Sequence, residues 1–375
     1  MEPHLEQIAR IGLSRRAFCT TTALGMVASA SLLRQPPAAF AETLPAQDEY
    51  AVLATLGRVM DGVWPRGAYP NAQGATEANT SGFIQIGFQY HTFTLLPAAV
   101  ELKNTRYLDA LLRIAEYAFA HQHSDGRFDY SESNGTITTG STQGPLGEAS
   151  TATMFFYDFG HTLVLLPKND WFRTAPECEP FRKRLDVLRE KCRPSLDWLL
   201  RQRALLTTDS AAANRTLAHA LSYYFLGRAL ERSDAMDAGR QIARRVLDAQ
   251  TPDGVFIESA GFDSSYQAVN VLECEWMYLN LDPADSALRE QLWNAIRRGV
   301  ARELPSVLPT GEVSTAGNSR ISANGESFEG HKKTVNSKQV LAALGYYGVM
   351  APDASVMAKM RRIFAFYYPN DPVDF

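Results

Sequence analysis

Three short segments carry polar residues at spacings that suit chemistry on a bound ligand. In Gly261-Phe262-Asp263-Ser264-Ser265-Tyr266-Gln267, Asp263 or Ser264 is placed to cap a following helix, putting Tyr266 and Gln267 in its first turn. First-turn side chains point towards the loop rim, where a substrate would lie; a cap followed by a packed tyrosine is the alternative. In Asn214-Arg215-Thr216-Leu217-Ala218-His219, Arg215 and His219 are four apart and share a helical face above Asn214. A capping Asn214 and a core His219 would explain the same residues. A polar trio on a helix otherwise made of Ala, Leu, Tyr and Phe favours function. In Tyr157-Asp158-Phe159-Gly160-His161, the Asp and His are three apart, and a hydrogen bond between them would fix a tautomer for catalysis or only for structure. Gln89-Tyr90-His91 suits a sugar-stacking wall or simple packing. Arg320, His331, Lys332 and Lys333 concentrate positive charge on an acidic protein, which suggests an anionic ligand; Lys333 fits a solvated loop better.

Other chemistries lack their signatures. The chain has no Gly-x-Ser-x-Gly elbow, phosphate-binding loop, dinucleotide fingerprint or His-Glu-x-x-His, and neither a metal nor a cofactor is expected. A glycosidase needs two carboxylates across a cleft. Asp125, Asp129, Asp253, Glu258 and Asp263 are candidates, but three of them lie in or beside turns where Asp already has a structural role.

Helices must position these residues. Tyr107, Leu108, Leu111, Leu112, Ala115, Ala118 and Phe119 form one amphipathic stripe. Similar stripes run through 150–166, 182–204, 215–232, 235–249, 265–280, 286–303, 335–349 and 355–367, which predicts about ten helices. Three helices lead into similar polar turns, Ser124-Asp125-Gly126, Pro252-Asp253-Gly254 and Pro309-Thr310-Gly311, each followed by a short extended piece and another helix. Helix pairs recurring in this way predict an all-α fold, an (α/α) toroid of helical hairpins with few short strands in its loops. An open solenoid or an irregular bundle is the alternative. Residues 65–82 and 305–334 are long and polar, and are read as walls of a cleft at one rim.

Ser14-Arg15-Arg16-Ala17-Phe18 precedes a mildly apolar stretch, 17–33, and the small-x-small site Ala39-Phe40-Ala41. This is the pattern of a twin-arginine signal cut after Ala41, leaving one catalytic domain over 42–375 in the periplasm or outside the cell. Residues 1–41 carry four arginines and two glutamates, so the formal charge of −4 becomes −6 on their removal. No basic run remains to engage nucleic acid, and no membrane contact is expected after cleavage. Cys178, Cys192 and Cys274 are too few and too widely spaced for a disulfide framework.

The Asn, His, Tyr and Arg of these segments, set on an exported helical ring, resemble the (α/α)-toroid polysaccharide lyases. The Gly-Phe-Asp-Ser-Ser-Tyr-Gln segment is most similar to polysaccharide lyase family 38, which includes alginate- and glucuronan-cleaving enzymes. The resemblance implies β-elimination on an anionic, uronate-containing polysaccharide. The proton next to the carboxylate is removed and the glycosidic oxygen on the neighbouring carbon leaves. Asn214 with Arg215 or His219 would neutralise the carboxylate, and Tyr266 would take the proton, protonate the leaving oxygen, or do both. A phenol with an ordinary pKa of about 10 is a poor base at neutral pH, and a neighbouring cation would favour the phenolate. His161 stands as a further catalytic candidate, and Arg215, Arg320, His331, Lys332, Tyr90, His91 and Gln267 as substrate contacts. Two alternatives stay open: a glycoside hydrolase of the same fold, and a non-catalytic glycan-binding protein. The choice of uronate, endo or exo cutting and the oligomeric state also stay open.

Overall fold

Asn104 begins one of the strongly amphipathic predicted helices by accepting a hydrogen bond from the Arg106 amide at 3.0 Å. The predicted stripe at 107–119 is its buried face. The computed structural model describes residues 48–131, 144–207, 212–258, 261–319 and 335–371, and the backbone of two short strands between 327 and 332. The proposed signal segment 1–41, Arg320 and Lys333 lie outside the described residues.

Among these, the α-helices in chain order are α1 Glu49–Leu56, α2 Thr92–Glu101, α3 Thr105–Ala120, α4 Gly144–Leu165, α5 Asp170–Thr174, α6 Glu179–Leu206, α7 Ala213–Ala229, α8 Ser233–Ala249, α9 Ser264–Asn280, α10 Ser286–Glu303, α11 Ser337–Met350 and α12 Ala354–Tyr367. A π-helical turn, Val59–Val63, follows α1. The strands are β1, Ser327–Phe328, and β2, His331–Lys332, which pair antiparallel with Phe328 opposite His331. No described helix is long and apolar enough to cross a membrane.

Contacts between helices give the architecture. Helices α2, α4, α7, α9 and α11 touch in that order, and α1 with its π-helical turn closes the ring between α11 and α2. Helices α3, α8, α10 and α12 fold back on the outside of the inner helix before them, and α6 packs on α3, α4 and α7. This is the predicted all-α toroid of hairpins. Inner α9 is buried on nearly every side, whereas outer α8 buries a single stripe through Ala235, Ala238, Ile242, Val246 and Leu247.

The predicted turns repeat one geometry. Thr251 N donates to Val255 O and Gly254 N to Thr251 O. The same pair of bonds recurs at His123–Arg127, at Leu308–Glu312 and, without an Asp-Gly signal, at Asn71–Ala75. Gly254 has φ 90°, and a Cβ there would lie 2.2 Å from the Arg298 carbonyl oxygen of α10. The turn therefore rests on backbone, with no room for a side chain. Buried Gln250 and Gln267 bind its Gly254 carbonyl at 3.1 and 2.8 Å.

The ring is tied by Glu49, which is 1% exposed. One carboxyl oxygen meets His161 Nε2 at 2.9 Å and Asn280 Nδ2 at 2.6 Å; the other accepts from Tyr346 OH at 3.1 Å. These partners lie near the ends of α4, α9 and α11, so α1 runs against the other inner helices. Burial and the Glu49 carboxyl push the Tyr346 phenol up, which keeps it a donor. Cys178, Cys192 and Cys274 are free and buried.

Two stability measurements check this account. Gly254→Ala lowers the unfolding free energy by about 3 kcal/mol, combining positive-φ strain with backbone overlap. Glu49→Ala lowers it by about 3–5 kcal/mol, because removing one partner strands the buried groups that met it. Both are read from urea unfolding against the unaltered chain.

Candidate functional site

At the rim where α2 and α11 begin lies a cleft of about 530 Å³. Trp64, Arg66 and Glu77 line it from the segment between α1 and α2; Tyr90, His91 and Thr94 from the start of α2; Tyr157 and Asp158 from α4; Trp276 from α9; Asn336, Ser337 and Lys338 from the start of α11; and Tyr368 from beyond α12. Tyr157 and Trp276 stack with ring centres 6.3 Å apart. Such a wall offers flat apolar faces with polar edges, which suits pyranose rings.

The start of α2 is built unusually. His91, at the N-cap position, has φ 92° and makes no capping bond with its side chain. Asp158, reaching over from α4, does the capping instead: its Oδ2 accepts from Thr92 N and Thr92 Oγ1, each at 2.6 Å, and from Phe93 N at 3.3 Å. Burial pushes the Asp158 carboxyl up, while Thr92 and the two amides pull it back down. Released from capping, the His91 ring meets Glu77 Oε1 through Nε2 at 2.9 Å and Thr94 Oγ1 through Nδ1 at 3.3 Å. Its centre is 4.2 Å from that of Tyr90. The His91 hydrogen bond holds the Glu77 carboxyl below its usual range despite opposing desolvation, and Tyr90 adds to this. Glu77 also has positive φ, 47°. Two non-glycine residues held in this region, each at a cost of about 1–3 kcal/mol, mark a place where geometry outweighs stability.

Arg66 and Lys338 bring positive charge to the same cleft. Lys338 Nζ donates to the Arg66 carbonyl, and the Arg66 guanidinium pairs with Asp371. Burial, then the nearby Arg66 charge, pushes the Lys338 ammonium down.

Of the residues singled out in the sequence, Tyr90 and His91 stand in this cleft. His161 does not: it is wholly buried and stacked between Phe93 and Phe225, with centres 3.9 and 4.6 Å away. The expected Asp158–His161 hydrogen bond is replaced by Asp158–Thr92 and His161–Glu49, because Asp158 is drawn to the start of α2. Gln267 is wholly buried too, bonded to the backbone of Phe256, Gly254 and Gly299 rather than facing a substrate. His219 is enclosed, with Nδ1 2.6 Å from Thr153 Oγ1. Asn214, Arg215 and Tyr266 are half-buried at the starts of α7 and α9. Asp263 caps α9 through the Tyr266 amide at 3.1 Å, as the motif predicted. Glu258 joins the two helices, accepting from Asn214 N at 2.9 Å and from Asn270 Nδ2 at 3.2 Å. Tyr266 and Asn214 are thus brought to one rim but are not among the residues lining the cleft. His331 and Lys332 form β2. Asp125 and Asp253 remain in exposed turns.

Sequence reasoning missed Glu77, Trp64, Arg66, Trp276 and Lys338, and saw Asp158 only as a partner for His161. Among the described residues, no group of three His, Cys, Asp or Glu side chains is placed to hold a metal ion.

No family model and no curated protein sequence matches the chain. Two solved structures are similar to it, each with a TM-score of 0.44. One is a variant of UGL with dGlcA-Glc-Rha-Glc, 13% identical, covering 72% of this chain and 74% of that one. The other is a polysaccharide lyase, 11% identical, covering 84% of this chain and 46% of that one. Likenesses this distant assign no chemistry to any residue here.

The strained His91 gives a direct test of whether the site trades stability for geometry. His91→Gly, which suits positive φ, unfolds at the same or a higher urea concentration than the unaltered chain, whereas loss of a packed core histidine would lower the midpoint.

Proposed function

We propose that this chain is an exported enzyme, carried by a twin-arginine signal to the periplasm or beyond, that cleaves a uronate-containing polysaccharide of the alginate or glucuronan type by β-elimination. One observation carries the reading. One aromatic-walled cleft is lined by a strained, carboxylate-bound histidine, its neighbouring tyrosine and two cations. Arg66 and Lys338 offset the uronate carboxylate, which otherwise opposes formation of a second negative charge on the adjacent carbon. Glu77 fixes His91 through Nε2, leaving Nδ1 to take the proton once the longer Thr94 contact gives way. Burial pushes the Tyr157 phenol well up, so Tyr157 is suited to hand a proton to the leaving oxygen rather than to act as base. The electron pair of the broken C–H bond forms the new double bond, and the glycosidic oxygen leaves as an alcohol. In this reading the base is His91 and the acid is Tyr157, rather than Tyr266, which is not among the residues lining the cleft.

A glycoside hydrolase is the second reading, favoured by one specific observation. Two carboxyls line the cleft and are pushed in opposite directions, Asp158 up by burial and Glu77 down by His91. Opposed environments of this kind divide acid from base.

Incubation with polyglucuronate, alginate and a neutral glucan separates the readings. The lyase gives ultraviolet absorbance from its unsaturated product on a uronate polymer, and His91→Ala lowers that rate about 10²- to 10⁴-fold. New reducing ends without absorbance establish the hydrolase instead, with Asp158→Asn as the inactivating change. Binding without new chain ends leaves only a glycan-binding protein.

A further inference from the structure

We propose that Arg66 is a carboxylate-binding subsite of the cleft, and that Asp371, in the segment after α12, holds that subsite until the carboxylate of an anionic glycan displaces it. This rests on the uronate reading above. The Arg66 guanidinium meets Asp371 with both arms of its fork, Nη1 to Oδ2 at 2.8 Å and Nη2 to Oδ1. That is the paired geometry by which arginine recognises carboxylates in general. The guanidinium lies 5.9 Å from the centre of the Tyr368 ring, which lines the same cleft and is fixed by a 3.0 Å hydrogen bond between its hydroxyl and Ser337 Oγ. Lys338 anchors the Arg66 backbone. The fork is therefore positioned by Tyr368 and Lys338 as well as by Asp371.

A sugar ring against Tyr368 with its carboxylate on Arg66 would use both surfaces at once, a combination that lysine at position 66 could not offer. Exchange is easy because the existing pair is open to water: the Arg66 side chain is 47% exposed and that of Asp371 18%. Ion pairs of that kind contribute little to stability. Replacing one carboxylate by another leaves the count of charges and hydrogen bonds on Arg66 unchanged. What the substrate gains is the ring contact that Asp371 cannot make. Asp371 thus acts as an internal competitor, lowering affinity for anionic chains without touching the reacting atoms.

The test is titration calorimetry with a short oligoglucuronate, with a neutral gluco-oligosaccharide as control. Asp371→Asn binds the uronate about three- to tenfold tighter than the unaltered chain, and Arg66→Gln binds it about tenfold weaker. The double variant matches Arg66→Gln, because the competitor has nothing left to compete for. Asp186→Asn removes the same charge from an exposed position on α6 and leaves binding unchanged. The proposal is overturned if Asp371→Asn binds like the unaltered chain, if Asp186→Asn gains as much, if the double variant keeps the gain, or if no variant binds the uronate. Should binding follow the expected pattern while no variant cleaves any uronate polymer, the subsite stands and the lyase reading falls.

Discussion

The ring depends on a carboxyl group removed from water. Glu49 sits at the start of a helix only eight residues long, too short to hold itself in place, yet that helix must close the gap between α11 and α2. What locates it is polar: His161, Asn280 and Tyr346, from three different inner helices, converge on the two Glu49 oxygens. A buried carboxyl accepts few arrangements, because any partner it lacks costs about 1–3 kcal/mol or more. Apolar packing alone would let α1 slide along the seam. The hydrogen bonds give it one register, and the register places Trp64 and Arg66 at the rim.

Glu49 and its partners lie directly behind the start of α2, since His161, bound to Glu49, stacks on Phe93. At the start of α2, capping by Asp158 rather than by a residue of α2 itself frees His91 to face Glu77. The four repeated turns pack closely on the backbone of the outer helices α3, α6, α10 and α12. Two of the five described non-glycine residues with positive φ, Glu77 and His91, line the cleft.

Much of this was legible in the sequence where a residue's role was local. Outer helices such as α3 and α8 show their stripe because one face meets water. The turns at Gly126, Gly254 and Gly311 show because glycine follows a turn-forming residue. The Asp263 cap was visible three residues before the amide it binds. Inner α2 was hidden: it is buried on most sides and carries Pro97 within it, so neither a stripe nor an uninterrupted run announces it. α1 was hidden by its length and by the π-helical turn that follows. The site was harder still, because its walls come from six parts of the chain. His161 illustrates the limit. A nearby Asp three residues away suggested a partner, but the true one, Glu49, is 112 residues away, and no spacing rule reaches that far. Nor does composition reveal that His91 turns into the left-handed region.

The trans-cap of α2 has an electrostatic consequence. The first amides of a helix carry a partial positive charge and commonly serve as an anion site. Here Asp158 already engages those of Thr92 and Phe93, so the α2 terminus has little field left to offer a ligand. Positive potential in the cleft comes instead from the side chains of Arg66, which is 47% exposed, and Lys338, which is half-buried. A field made by such groups is screened by dissolved ions over about 8–10 Å at ordinary ionic strength, whereas a backbone cradle would be shielded from them. Attraction of an anionic ligand to this rim would thus weaken as the salt concentration rises.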